Sequence, residues 1–135
     1  MTGAVNTDEI LAALKALLDA AGLYAPVRIG ALDKGDSVAM YTGPGGDSTD
    51  DLLRNSVDHA DLVINAKHAD QPTAIKALRA AEEAITNVKT VMPTGSGWQV
   101  VTITKQTGPG YTGQEDNGRY IWTSTFVILI RYAKE

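Results

Sequence analysis

At 135 residues, with 44% hydrophobic and 21% charged side chains, the chain fits a single domain over residues 1–135 and is too apolar for wholesale disorder. A net charge of −4 without a Lys/Arg cluster excludes a dedicated nucleic-acid binder, and the lack of cysteine excludes disulfides and thiolate chemistry. Met1 leads into Thr2-Gly3-Ala4-Val5-Asn6 with no basic n-region and no long apolar run, so neither a signal peptide nor a membrane span is expected.

The first expected element is a helix from Thr7 to Ala21. Asn6 or Thr7 can cap it, Asp8 and Glu9 suit its first turn, and Gly22 is a natural stop. Ile10, Leu14, Leu17 and Leu18, with Leu11 and Ala21, make one apolar face. Two short strands follow, Pro26–Leu32 and Ser37–Tyr41, and the turn Asp33-Lys-Gly-Asp36 between them reads as a hairpin. Thr42 to Asn55 is rich in Gly and Asp and reads as a loop. Val57 to His68 resumes strand character around Leu62-Val63-Ile64. A second helix is expected from Pro72 to about Met92, because Pro suits the first helical position and Ile75, Leu78, Ile85, Val88 and Met92 share a stripe. Arg79 can pair with Glu82 or Glu83 on its wet side. Trp98 to Lys105 alternates as a strand, Gln106 to Gly118 reads as a second Gly-rich loop, and the chain closes on a long strand from Arg119 to Tyr132.

That last strand is the clearest in the sequence, with β-branched and aromatic residues throughout and no Gly, Pro, Asp or Asn. Tyr120, Trp122, Ser124, Phe126, Ile128, Ile130 and Tyr132 share one face, apolar apart from Ser124. Arg119, Ile121, Thr123, Thr125, Val127, Leu129 and Arg131 share the other, which is mostly polar at first and turns apolar by Val127, so the strand is expected to enter a covered region near its C-terminal half. At ~3.3 Å per residue it would span roughly 45 Å, about as wide as the whole domain. Either the strand bends, or its first half projects as a hairpin arm that something outside the domain must cover. The order α-β-β-β-α-β-β describes an α+β fold, a mostly antiparallel sheet with two helices on one face and a long C-terminal β-hairpin.

Few residue sets suggest chemistry. Thr-Gly-Pro-Gly occurs at 42–45 and 107–110, but neither copy has the phosphate-loop pattern, and turn chemistry accounts for both. His59-Ala-Asp61 and His68-Ala-Asp70 each offer two ligands on one strand face, too few for a specific metal site. Ser96 lacks the nucleophile-elbow spacing, and Glu82-Glu83 do not face one another. No catalytic residue, cofactor or metal is expected. The two acidic, Gly-rich loops are the polar clusters that carry a hypothesis.

With these elements placed, the chain resembles the small minor capsid or tail-terminator family of long-tailed bacteriophages. The resemblance rests on the leucine-rich helix at Glu9 to Ala21, the Gly-Pro-Gly-Gly loop at 43–46 and the unit Leu62-Val63-Ile64, Ala74-Ile75, Leu78. It rests most on the turn Asp116-Asn117-Gly118-Arg119-Tyr120 running into a strand closed by Arg131-Tyr132. It implies a structural virion protein and no enzyme: a ring subunit, commonly hexameric, capping the tail tube and meeting the head-completion (neck) proteins. Such a protein is made in the bacterial host cytoplasm and ends in the virion tail or neck, with DNA passing through unbound and no membrane partner. The loops Gly43, Pro44, Gly45, Gly46, Asp47, Asp50, Asp51 and Gly108, Pro109, Gly110, Tyr111, Glu115, Asp116 are then expected to face the lumen or a docking partner. Arg119, Tyr120 and Trp122 are expected at the subunit interface. The competing expectations are another neck protein, a soluble monomeric binding or regulatory α+β domain and, last, a small hydrolase.

Overall fold

The computed structural model describes residues 7–42, 49–50, 55–86, 94–95, 97–115 and 117–133. Two helices, α1 (Thr7–Ala20) and α2 (Gln71–Thr86), lie against a sheet of seven strands. The strands are β1 (Val27–Ile29), β2 (Ser37–Thr42), β3 (Thr49–Asp50), β4 (Asn55–His68), β5 (Thr94–Gly95), β6 (Trp98–Gln114) and β7 (Tyr120–Ala133). Across the sheet the order is β1-β2-β4-β7-β6-β5, with β3 paired separately to β4. Five of these strands and both helices are the expected elements in the expected order, and β3 and β5 add two residues each.

The helix-facing side is one continuous core. Ile10, Leu14 and Leu18 from α1 and Ala74, Leu78, Ala81 and Ile85 from α2 pack on Leu62, Ile64, Phe126, Ile128 and Ile130, all buried. Each such aliphatic contributes about 1.5–3 kcal/mol on burial. The alternation predicted for the last strand holds, with Ser124, Phe126, Ile128 and Ile130 buried, but the second face is not covered in its C-terminal half as expected: Val127 and Leu129 are half-exposed on the open side, like Thr125. Gly22 ends the first helix with φ +76, the left-handed conformation a C-terminal stop requires. The second helix ends at Thr86, and Val88 and Met92 lie outside the described residues, as does the Asn6 cap. Glu82 turns to Lys105 on β6 at 3.4 Å rather than to Arg79.

Three expectations are corrected. First, β1 and β2 pair in parallel, Val27 with Val38 and Ile29 with Met40, and form no hairpin. A three-residue strand is only about 7 Å long, so residues 30–36 run back alongside it easily. Gly30, at φ +104, makes the reversal, and its N–H donates to the Met40 carbonyl at 2.8 Å. Second, Gln106 to Gln114 is strand: β6 continues beside β7 as far as Tyr120, and only 115–119 turns. Third, the first half of β7 projects from nothing. Strand β4 is as long and pairs with it in unbroken register from Asn55–Ala133 to His68–Tyr120, so neighbours on both edges carry its full length.

β6 has 17 residues where β7 has 14, and the excess is absorbed in four register shifts along their ladder. The sharpest surrounds Gly108, at φ +98 and joined to Pro109 by a cis bond. A Cβ built there would lie 2.5 Å from the Thr123 carbonyl oxygen and 2.7 Å from the Ser124 Cα. Glycine is thus required twice, by its backbone angle and by the approach of two main chains. We expect Gly108→Ala to lose roughly 2 kcal/mol or more in urea denaturation, with Gly113→Ala, which meets open space, as the control. Equal midpoints for both variants would show that the bulge yields.

Candidate interaction surface

The hairpin turn is built by short-range chemistry. Glu115 N–H donates to the Arg119 carbonyl at 2.8 Å, Gly118 adopts φ +83, and the Asn117 side-chain oxygen accepts the Arg119 N–H at 3.0 Å. This Asn-Gly pair at the tip of a β-hairpin is the strongest short-range turn signal a sequence carries.

The turn then folds over the open side of the sheet and is fastened to the segment between β1 and β2. The Lys67 ammonium, 2% exposed, is held by Glu115 Oε1 at 2.9 Å and by the Asp33 carbonyl. Asn117 Nδ2 donates to the Lys34 carbonyl at 3.1 Å, and Arg119 Nε reaches Asp36 Oδ1 at 2.8 Å. The other Asp36 oxygen lies 3.3 Å from His68 Nε2, and the Tyr24 ring meets His68 edge-on at 4.9 Å. The Tyr24 hydroxyl stands 2.8 Å from the Ser37 and Lys67 carbonyls. Burial, with the Asp36 charge added, pushes its ionisation far above the ordinary tyrosine range, so it remains a donor. Asp36 is the hub. The Arg119 hydrogen bond, joined by the charges of His68 and Arg119 and the Ala69 amide, holds its carboxyl below the ordinary 3.8.

The predicted interaction residues therefore separate. Glu115 and Arg119 turn inward and fasten the turn. Gly108, Pro109 and Gly110 form the bulge against β7. Tyr111, Tyr120 and Trp122 gather on the helix-facing side, with Tyr111 5.8 Å from the Trp122 ring and 6.5 Å from the Tyr120 ring. Trp122 is anchored by its Nε1–H to Gln71 Oε1, at the start of α2, at 3.1 Å. Tyr111 is the outermost of the three, 56% exposed. Of the first loop, Gly43, Pro44, Gly45, Gly46, Asp47 and Asp51 lie outside the described residues, as does Asp116 of the second. Asp50 belongs to β3, opposite Ser56 of β4.

Sequence reasoning missed Lys67 and Asp36 as partners of the turn. Lys67 ends an apolar run and reads as a wet edge residue; its burial depends on a turn 48 residues away. Among the described residues no three His, Asp or Glu converge on one point, and the sheet's open side mixes threonines with half-exposed Val127 and Leu129. Thr112 Oγ1 meets Thr123 Oγ1 at 2.5 Å, and Thr123 donates to Asn65 Oδ1 at 2.6 Å. What this arrangement offers is a shaped surface of mixed polar and apolar side chains.

Three comparisons bear on what that surface serves. The model of a family described as bacteriophage tail terminator protein matches residues 16–132. No curated protein matches the chain. A solved structure titled "Virion of native gene transfer agent (GTA) particle" contains a chain of similar fold, with a TM-score of 0.57 and 18% identity over 93% of this chain and 90% of that one.

The fastened turn yields two expectations. Glu115→Ala strands the buried Lys67 ammonium and should cost about 1–2 kcal/mol in urea denaturation, less than a fully buried pair because Glu115 keeps water; a variant as stable as the parent would show that Lys67 finds water unaided. For Asp36, the folded value is the depressed one, so its contribution is present above the unfolded pKa and lost as pH falls through the folded one. The stability gap between the parent and Asp36→Asn should be full at neutral pH and close well below 3.8. A gap of constant size would remove Asp36 from the hub.

Proposed function

Because the chain belongs to the bacteriophage tail terminator family, a family of structural virion proteins of the tail and neck, we propose that it completes the tail as one subunit of a closed ring at the head–tail junction. The family match over residues 16–132 is the observation that carries this reading. The virion chain of similar fold supports it as a precedent for this architecture inside a particle. The ring is hexameric, sits on the tail tube protein and presents a surface to the head-completion proteins.

The electrostatics suit such a ring. A net charge of −4, with no Lys/Arg cluster, gives a passing DNA duplex little to bind. Half-exposed Thr123 and Thr125 line the open side with hydroxyls in place of ammonium groups. The acidic loop with Asp47, Asp50 and Asp51 faces the lumen or the docking partner, as does the bulge of the hairpin at Pro109. Subunits meet through the hairpin region that carries Tyr120 and Trp122.

Replacing Asp47, Asp50 and Asp51 together by Lys should leave the circular dichroism spectrum unchanged and reduce joining of filled heads to tails, scored by electron microscopy and plaque count. Particles assembled and infectious at parental yield would remove that loop from the docking surface.

A further inference from the structure

We infer that neighbouring subunits join edge to edge and head to tail, with Tyr111 on β6 of one copy packed against Ile29 on β1 of the next. This rests on the ring reading above and names the surface that closes it.

The sheet has two unlike edges. One is the three-residue β1, beyond which no described strand lies. The other is β6, where β5 covers only Trp98 and Gln99 and leaves the strand from Val100 to Gln114 without a described partner on its outer side. Open edges attract further strands and invite disordered aggregation unless they are blunted or paired. Among the residues whose side chains are described, the four exposed large hydrophobics fall two to each flank: Ile29 (47%) and Tyr41 (42%) beside the β1 edge, Val101 (36%) and Tyr111 (56%) on β6.

The register sets two of them level with one another. Val27, Val38, Ala66, Trp122 and Tyr111 form a single row across the whole sheet, by pairwise partnership from β1 to β6. Ile29 lies two residues along its strand from that row, and side chains alternate, so Ile29 and Tyr111 stand on the same, helix-facing side. They are the exposed apolar ends of nearly one line. Rotation about an axis along the strands brings the β1 edge of the next copy to the β6 edge at the same height.

Strand direction agrees. β4 and β6 both run antiparallel to β7, β2 runs antiparallel to β4, and β1 runs parallel to β2. β1 therefore runs opposite to β6, and a rotated copy presents it antiparallel, the pairing that short strands favour. The backbone is ready for it. Gly30 N–H faces β2, where it donates to Met40, so alternation turns the N–H and C=O of Ile29 outward. The neighbouring outward amide, that of Val27, is already taken by Asp19 Oδ1 at 2.8 Å. The seam is therefore short and centred on Ile29. A symmetric dimer through β6 would leave both β1 edges open, whereas a ring consumes both edges of every copy.

Such a contact falls below the ~800 Å² per partner of a standing interface, so dilute free protein is monomeric and the ring closes where the tail gathers the subunits. The chain has no cysteine, which makes trapping clean. We expect Ile29→Cys/Tyr111→Cys, oxidised at high concentration or in assembled tails, to give a ladder of disulfide-linked oligomers ending in a closed ring. Each single variant should stay uncrosslinked, and circular dichroism should match the parent for all three. Dimers from Tyr111→Cys alone would overturn the contact in favour of a symmetric β6 pairing. Rings seen in tails of the double variant without any trapped ladder would overturn the contact and leave the ring intact. Tails carrying the protein as single copies would instead overturn the ring, and this contact with it.

Discussion

Everything in this fold depends on the pairing of β7 along both edges. Fourteen residues in extended conformation expose a long double row of amides and carbonyls, which must be satisfied wherever water is excluded. β4 supplies one row in unbroken register and β6 supplies the other through four shifts. The unequal strand lengths matter. Extra residues in one strand of a pair increase local twist and bend the ladder, so a ribbon roughly 45 Å long stays against a helix pair much shorter than itself. The helices then cover the central part of one side, and the far end of the ribbon is secured by the Asp33 and Lys34 carbonyls and the Asp36 carboxylate, from the segment between β1 and β2.

That division explains how much was legible in the sequence. β7 was plain because nothing in Tyr120–Ala133 interrupts strand propensity, and from Ser124 to Ile130 its burial alternates as the side-chain pattern requires. The second half of β6 was hidden because Gly108, Pro109, Gly110 and Gly113 are the residues that ordinarily announce a loop. They are tolerated because β6 has one long ladder to satisfy, so a proline and its bulge cost no pairing on the outer side. The parallel pairing of β1 was hidden for another reason. A short strand, a turn and a second short strand read alike for either pairing, and the choice rests on where Asp19 and Met40 lie in space. The partition of the hairpin residues into fastening and exposed groups was likewise illegible, since Glu115 is inward only because Lys67 is there to meet it.

The fastening at Lys67 and Asp36 adds specificity more than stability. Arg119–Asp36 is solvent-accessible, and exposed ion pairs contribute about 0–1 kcal/mol. Lys67 is different, because a buried ammonium tolerates few alternative arrangements. With Glu115, the Asp33 carbonyl and the Asn117–Lys34 contact it selects one placement of the turn over the sheet. The Asn117-Gly118 turn sets the hairpin's local geometry, and these contacts set its direction. The aromatic group of Tyr111, Tyr120 and Trp122, a few residues away on the opposite side of the ribbon, is thereby presented on a rigid base.

A rigid base matters for a subunit whose contacts are small. On the proposed reading each copy meets its neighbours through narrow seams, and binding energy in such seams is easily lost to the entropy of ordering the parts that touch. Here the ordering is done during folding: Gln71 holds Trp122, Trp122 supports Tyr111, and Asp19 holds Val27 beside the outward-facing Ile29. Pre-ordered edges with little individual affinity suit a ring that should close on a finished tail and not in free solution. A larger apolar interface would close it too early, and a basic one would hold the DNA it must let pass. On the same reading, the exposed apolar residues described on each flank, Ile29 and Tyr41 on one and Val101 and Tyr111 on the other, are both used, because a closed circle engages both flanks of every copy.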